Sequence, residues 1–163
     1  MSLLSRLLSR EEPPPPIESY LRDQHVPFSL HHHPPAYSAQ RLAHIEHVPG
    51  KLVAKVVMAV VDEELVMLCV PAPCHVNMLK LMNMLATENV RLAQEDDFAQ
   101  AFPDCEVGAM PPFGNIYDLP VYVDKQLAED ERIHFQACRH TDTVEMSYTD
   151  FARLAHPIVC ELC

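Results

Sequence analysis

A chain of 163 residues, 48% apolar and 21% charged, holds enough apolar material for one globular domain with at most a small added element. Its longest apolar run, VVMAVV at 56–61, stops at Asp62, well short of the ~20 residues that cross a bilayer, so stable membrane insertion is not expected. A net charge of −11 excludes a global basic face for nucleic acid; any RNA contact must use a small local patch, a few nucleotides or a basic partner.

The first ten residues, MSLLSRLLSR, place Leu3, Leu4, Leu7 and Leu8 at helical spacing with Ser and Arg between them. This reads as a short amphipathic arm that packs on its own domain, touches a membrane surface or partner, or serves as a targeting leader. EEPPPP at 11–16 is a stiff polyproline spacer. The division is therefore a leader and linker at 1–16 and a globular domain at 17–163.

From Ile17 the pattern becomes globular. IESYLRDQHV reads as a helix, PFSLHHH as a short strand, and SAQRLAHIEH as a helix capped by Ser38 and stopped by Gly50. KLVAKVVMAVVD and ELVMLCVP form a hairpin around Asp62 and Glu63. VNMLKLMNMLA is a helix, NVRLA a strand, and QEDDFAQAF a helix with its acids near the favourable N-terminal end. After a Gly–Pro loop come strand LPVYVD, a turn at KQLAEDE, strands RIHFQA and TVEMS, and helix YTDFARLA. Strands and helices mix without strict βαβ alternation, which predicts an α/β fold with a sheet of mixed direction.

Two features carry potential chemistry. Lys55 lies inside the apolar run LVAKVVMAVV, sharing a strand face with Val53 and Val57 while Ala54, Val56 and Met58 take the other. It is either an edge-strand lysine that discourages aggregation or the floor of a cleft holding an anionic or carbonyl group. The stretch GAMPPFG at 108–114 holds two of the three glycines of the chain, bracketing Pro111, Pro112 and Phe113. Glycine permits φ > 0 and proline removes an N–H, so the loop is rigid with partly bare backbone groups. It is either a structural turn or a cradle for a small polar ligand.

Other patterns are weaker. His31, His32 and His33 are consecutive, so a regular strand cannot aim all three at one metal, and no metal or other cofactor is expected. Pro34 and Pro35 hold the chain extended after His33, which lets that one imidazole face a pocket. The six cysteines show no disulfide-framework spacing, which favours a reducing compartment, and Cys160-Glu161-Leu162-Cys163 lacks a second pair for zinc. There is no Gly-x-Ser-x-Gly, P-loop or HExxH motif.

His33-Pro34-Pro35, a Ser/Ala-rich helix, Lys55 followed by Asp62, the Gly108-x-x-x-Pro112-Phe113-Gly114 loop and VYVD at 121–124 occur in an order and spacing that resembles the YbaK/prolyl-tRNA-synthetase-associated editing domain. The resemblance covers about residues 17–155. It implies a mixed, partly barrel-like β-sheet with surrounding helices. It implies hydrolysis of the ester of mischarged aminoacyl-tRNA in the cytoplasm, with water activated by a hydroxyl of the tRNA itself. By the same resemblance, Lys55, Gly108 and Pro112 are the catalytic group, and His33, Met58, Met110, Pro111, Phe113 and Gly114 contact substrate. The partners implied are the 3′ end of aminoacyl-tRNA and an aminoacyl-tRNA synthetase or elongation factor. One departure is Gln136-Ala137-Cys138-Arg139-His140, where relatives often carry a glycine. The rival readings are a non-catalytic binding or synthetase-docking module of the same fold, and a metal- or redox-responsive protein built on His and Cys.

Overall fold

The computed structural model describes residues 16–163; the amphipathic arm and the first prolines of the spacer, read above at 1–15, lie outside the described residues. Helix α1 (Pro16–Asp23) begins on the last proline, where a missing N–H costs nothing, and buries Ile17 and Leu21 one turn apart. Strand β1 (Phe28–His32) leads to α2 (Ala39–Glu46). The Ser38 hydroxyl caps that helix by accepting the Arg41 N–H at 3.1 Å, as the sequence led us to expect. A 3-10 turn at Gly50–Leu52 then delivers the chain to β2 (Ala54–Val61).

β2 and β3 (Glu64–Pro71) form the expected hairpin. Asp62 and Glu63 both take positive φ, at 48° and 70°, the geometry a two-residue hairpin loop needs to match strand twist. Helix α3 (Met78–Leu85), capped by Asn77, and strand β4 (Val90–Leu92) follow. The acidic helix is shorter than its pattern suggests: α4 (Glu95–Phe98) passes into a 3-10 turn at Ala99–Ala101, ahead of Pro103. After the Gly–Pro loop and a 3-10 turn (Gly114–Tyr117) comes β5 (Val121–Asp124). The segment expected as a plain turn opens with a short helix, α5 (Lys125–Ala128), because the Asp124 carboxylate accepts the Gln126 N–H at 3.0 Å. β6 (Arg132–Gln136), β7 (Asp142–Ser147) and α6 (Tyr148–Ala155) complete the expected series. A last strand, β8 (Ile158–Cys160), was not legible, since three half-exposed residues after Pro157 carry no period and gain strand geometry only by pairing with β5.

The strands form two sheets. One is antiparallel with order β1-β7-β6; the other has order β4-β2-β3-β5-β8 and mixes antiparallel and parallel neighbours. A bridge between Val53 and His134 ties the start of β2 to β6, but the sheets do not close into a barrel. The main core lies where Phe113 meets Phe135 and Phe151, with ring centroids 5.6 and 5.2 Å apart. β2 is covered on both faces, by Leu81 of α3 on one side and by Phe102 and Met110 on the other. Two-sided cover explains why its sequence is a continuous apolar run rather than an alternation.

The cysteines correct an expectation. Cys74 is disulfide-bonded to Cys163, and Cys105 to Cys138, while Cys69 and Cys160 are free. Cys160 and Cys163 therefore do not act as a pair. Partners 89 and 33 residues apart leave no spacing signature; the sheet brings them together.

Candidate functional site

β4 accompanies β2 only from Ala59 to Val61. Between that pairing and the Val53–His134 bridge the edge has no strand partner among the described residues, and Val53, Ala54, Lys55 and Val56 form one wall of a cavity of about 250 Å³. The start of α2 supplies a second wall through Tyr37, Ser38, Ala39 and Leu42. Gly108 and Met110 of the Gly–Pro loop, with Gln136 at the end of β6, complete it. The lining is apolar toward Leu42, Val53 and Met110 and polar where Lys55, Ser38 and Gln136 meet it.

Lys55 is neither free nor salt-bridged. Its ammonium donates to the carbonyl oxygens of Cys74 at 2.6 Å and Ala72 at 3.4 Å, in the chain just beyond β3. Partial burial lowers its pKa from the ordinary lysine value. An ammonium has three N–H donors, so this anchoring leaves one for a ligand.

Gly108 takes φ +86°, which explains the glycine by conformation rather than by space: a Cβ there would lie 3.7 Å from the nearest side-chain atom, His140 Cε1. The loop is strapped in place. Cys138 donates its N–H to Ala109 at 2.8 Å, and Glu106 donates to the Cys138 carbonyl at 2.8 Å, beside the Cys105–Cys138 disulfide. The Gly108 N–H itself donates to no acceptor among the described residues. His140 spans the gap behind the loop, with Nε2 2.9 Å from the Val107 carbonyl and Nδ1 3.1 Å from the Ala36 carbonyl. Gln136 also donates to Ala36 O, at 2.6 Å. Tyr37 packs on the His140 ring at 4.8 Å between centroids yet is 77% exposed, a flat aromatic surface at the mouth.

Of the residues singled out by sequence, Lys55, Gly108 and Met110 meet at this cavity. Met58 packs with Met110 in a buried cluster, and Pro111 and Pro112 are buried behind the loop. Phe113 is wholly buried in the aromatic core. Gly114 is there for close packing, since a Cβ would sit 2.5 Å from Leu119 O and 2.6 Å from Val121 Cγ2. His33 lies outside the lining, its Nε2 2.7 Å from Thr143 Oγ1. Tyr37, Leu42, Gln136 and His140 were missed as contributors. Their assembly depends on the β6–β7 turn folding against the β1–α2 connection, and only the unusual run at 136–140 hinted at it. Among the described residues, no group of three or more His, Cys, Asp or Glu side chains is placed to hold a metal ion.

The family profile of the aminoacyl-tRNA editing domain matches residues 33–154. The chain belongs to the aminoacyl-tRNA editing domain family. Solved structures agree on the fold of this editing domain. A hypothetical protein superposes with a TM-score of 0.81 at 16% identity, over 90% of this chain and 97% of the other. A candidate trans-editing enzyme for prolyl tRNA synthetase gives 0.79 at 15% identity, over 90% and 93%. A candidate signal transduction protein from Marinobacter aquaeolei VT8 gives 0.71 at 15% identity, over 93% of this chain but 31% of that longer one. No curated protein matches the chain in sequence.

Proposed function

We propose that this editing domain acts in trans as an aminoacyl-tRNA deacylase, hydrolysing the ester that joins a wrong amino acid to the tRNA 3′ end. The observation that carries the reading is that Lys55, whose ammonium is anchored, and Gly108, whose N–H has no acceptor among the described residues, line the same small cavity. In the reaction, water attacks the ester carbonyl carbon, the bond from that carbon to the ribose oxygen breaks, and the ribose oxygen takes up a proton. Free amino acid and tRNA are released. The carbonyl oxygen becomes negative on the way, and preorganised donors at that point are worth the most. The Gly108 N–H and the remaining Lys55 N–H are such donors. Pro112 holds the loop from behind, and Met58 and Met110 shape the apolar end that meets the amino-acid side chain.

Among the described residues that line it the cavity holds no Ser–His or Cys–His pair, and the reading assigns activation of the water to the vicinal ribose hydroxyl of the substrate. Only the 3′ end enters, which is how a chain of net charge −11 can act on tRNA. The substrate places the activity in the cytoplasm, with a synthetase or elongation factor as the partner that brings tRNA. Residues 17–163 then form the catalytic domain and 1–16 an appended arm. In a reducing cytoplasm the two cysteine pairs would stand as thiols. The second reading is a non-catalytic module of the same fold that binds an aminoacyl or nucleotide ligand. A deacylation screen across mischarged tRNAs separates the two: turnover supports the enzyme, and binding without turnover supports the module.

A further inference from the structure

Cys138, in the β6–β7 turn, holds the Gly–Pro loop on both sides of Gly108. Its sulfur is bonded to Cys105, its carbonyl oxygen accepts the Glu106 N–H at 2.8 Å, and its own N–H donates to the Ala109 carbonyl at 2.8 Å. Between these points Glu106, Val107 and Gly108 are exposed. They are tied otherwise through His140, whose N–H donates to Glu106 Oε2 at 3.1 Å and whose Nε2 lies 2.9 Å from the Val107 carbonyl. An exposed segment held by a few hydrogen bonds opens readily, so the covalent tie governs how firmly Gly108 is placed.

The backbone at Cys138 favours a different residue. Its φ is 69°, in the left-handed region that suits glycine and strains a residue with a Cβ. The turn needs that conformation but not the sulfur, and strain of this kind is retained where the side chain serves a function. The two sulfurs also differ in access. Cys138 is 1% exposed, whereas Cys105 is half-buried at the entrance to the loop. A reagent therefore reaches Cys105 first and leaves Cys138 behind it as the resolving thiol. The Tyr117 oxygen lies 3.4 Å from Cys105 Sγ and 3.7 Å from Cys138 Sγ, so one O–H serves whichever sulfur carries charge during exchange. Burial and Asp104 push the Tyr117 pKa up to about 12, which keeps that proton in place.

We propose that Cys105 and Cys138 are a site of reversible oxidation by small-molecule disulfides of the glutathione class, and that their disulfide locks the loop that presents Gly108 to the Lys55 cavity. The reaction is thiol–disulfide exchange. The Cys105 thiolate attacks one sulfur of the small disulfide, expels the first thiol and becomes a mixed disulfide. The Cys138 thiolate then attacks Cys105 Sγ and expels the second. The protein gives up two electrons and two protons, and the small disulfide becomes two thiols. An excess of the reduced thiol reverses both steps. The lock stands on the loop geometry alone; its effect on turnover rests on the deacylase reading.

The test equilibrates the full chain in reduced and in oxidised glutathione, traps free thiols by alkylation and follows backbone amide exchange. The Cys105–Cys138 pair should be open in the first buffer and closed in the second. The Glu106, Ala109 and Cys138 amides should exchange at least about tenfold faster in the open state. Cys138→Gly suits the left-handed turn, so it should fold and show the fast exchange in both buffers. Cys163→Ser removes the other disulfide and should keep the wild-type response. A pair that stays closed in reduced glutathione is a fixed crosslink and overturns the proposal. So does a pair that stays open in oxidised glutathione, or equal exchange in both states. Single-turnover deacylation should be about tenfold slower in the open state, from a displaced Gly108 N–H. Equal turnover in both states overturns the switch; a loop that locks and releases in a protein with no turnover in either state supports the lock and contradicts the deacylase reading instead.

Discussion

The Lys55 ammonium donates to the Cys74 carbonyl oxygen at 2.6 Å, so the one cation in β2 is positioned by the chain that leaves β3. Val70, its cross-strand partner, lies a few residues before that carbonyl, and the β2–β3 register therefore fixes both ends of the contact. A side chain held in this way loses little freedom when substrate arrives. That is the condition under which a single charge contributes most.

Lys55→Ala should reduce deacylation by at least about 10²-fold, within the range for loss of one oxyanion donor. Lys55→Arg should not rescue it, because a planar guanidinium cannot place its donors on Cys74 O, Ala72 O and a ligand as an ammonium does. Thermal melts of both variants beside single-turnover rates make the check. Wild-type turnover in Lys55→Ala would reduce Lys55 to a surface-strand lysine.

Gly108→Ala should lower turnover far more than stability. The site has room for a methyl group, but φ +86° strains any L side chain by about 1 kcal/mol or more. Relief of that strain moves the Gly108 N–H, and a ~1 Å misplacement can cost ~10²-fold in rate. Met110→Leu, at the same cavity, should be mild in stability and report only on the amino-acid end. Parallel loss of rate and stability in Gly108→Ala would make the loop a plain structural turn.

Gly114→Ala should show the opposite pattern. The added Cβ would overlap the Leu119 carbonyl oxygen and the Val121 side chain, an overpacking that typically costs about 1–3 kcal/mol. Urea denaturation should report that loss, while turnover per folded molecule stays near wild type.

His134 should make the protein acid-sensitive. Its folded pKa lies below the ordinary value of 6.5 because of burial, so between the two values the unfolded chain binds a proton that the folded chain does not. Stability should therefore fall as pH drops from above 6.5 toward the folded pKa, and this contribution should level off below it. Glu145, Glu46, His31 and Arg132 face the ring and shape the curve. His134→Phe, measured by urea denaturation across that window, should give a flatter profile than wild type; identical profiles would mean that folding leaves the His134 pKa unshifted.

Local rules read much of the fold correctly. The Ser38 cap, the Asp62–Glu63 loop and the apolar run of β2 follow from capping, turn chemistry and two-sided burial, which short segments encode. β8 and the disulfides depend on contacts across 33 residues or more, which no local pattern carries. The site divides the same way. Lys55 and Gly108 stand out because each breaks the character of its neighbourhood. Phe113 and Gly114 sit beside Gly108 in sequence, but the chain turns inward after Met110 and commits them to the core. Gln136 reaches the cavity from the end of β6, and His140 backs the Gly–Pro loop from the β6–β7 turn, placements that no local pattern carries.

The central claim is tested most directly by single-turnover hydrolysis of a panel of purified mischarged aminoacyl-tRNAs, run with wild type, Lys55→Ala and Gly108→Ala. The account predicts that wild type hydrolyses at least one of them well above the spontaneous rate. It also predicts that both variants, folded by thermal melt, lose about 10²-fold on that substrate. No hydrolysis above background across the panel by folded wild-type protein, or undiminished rates in both variants, would contradict it.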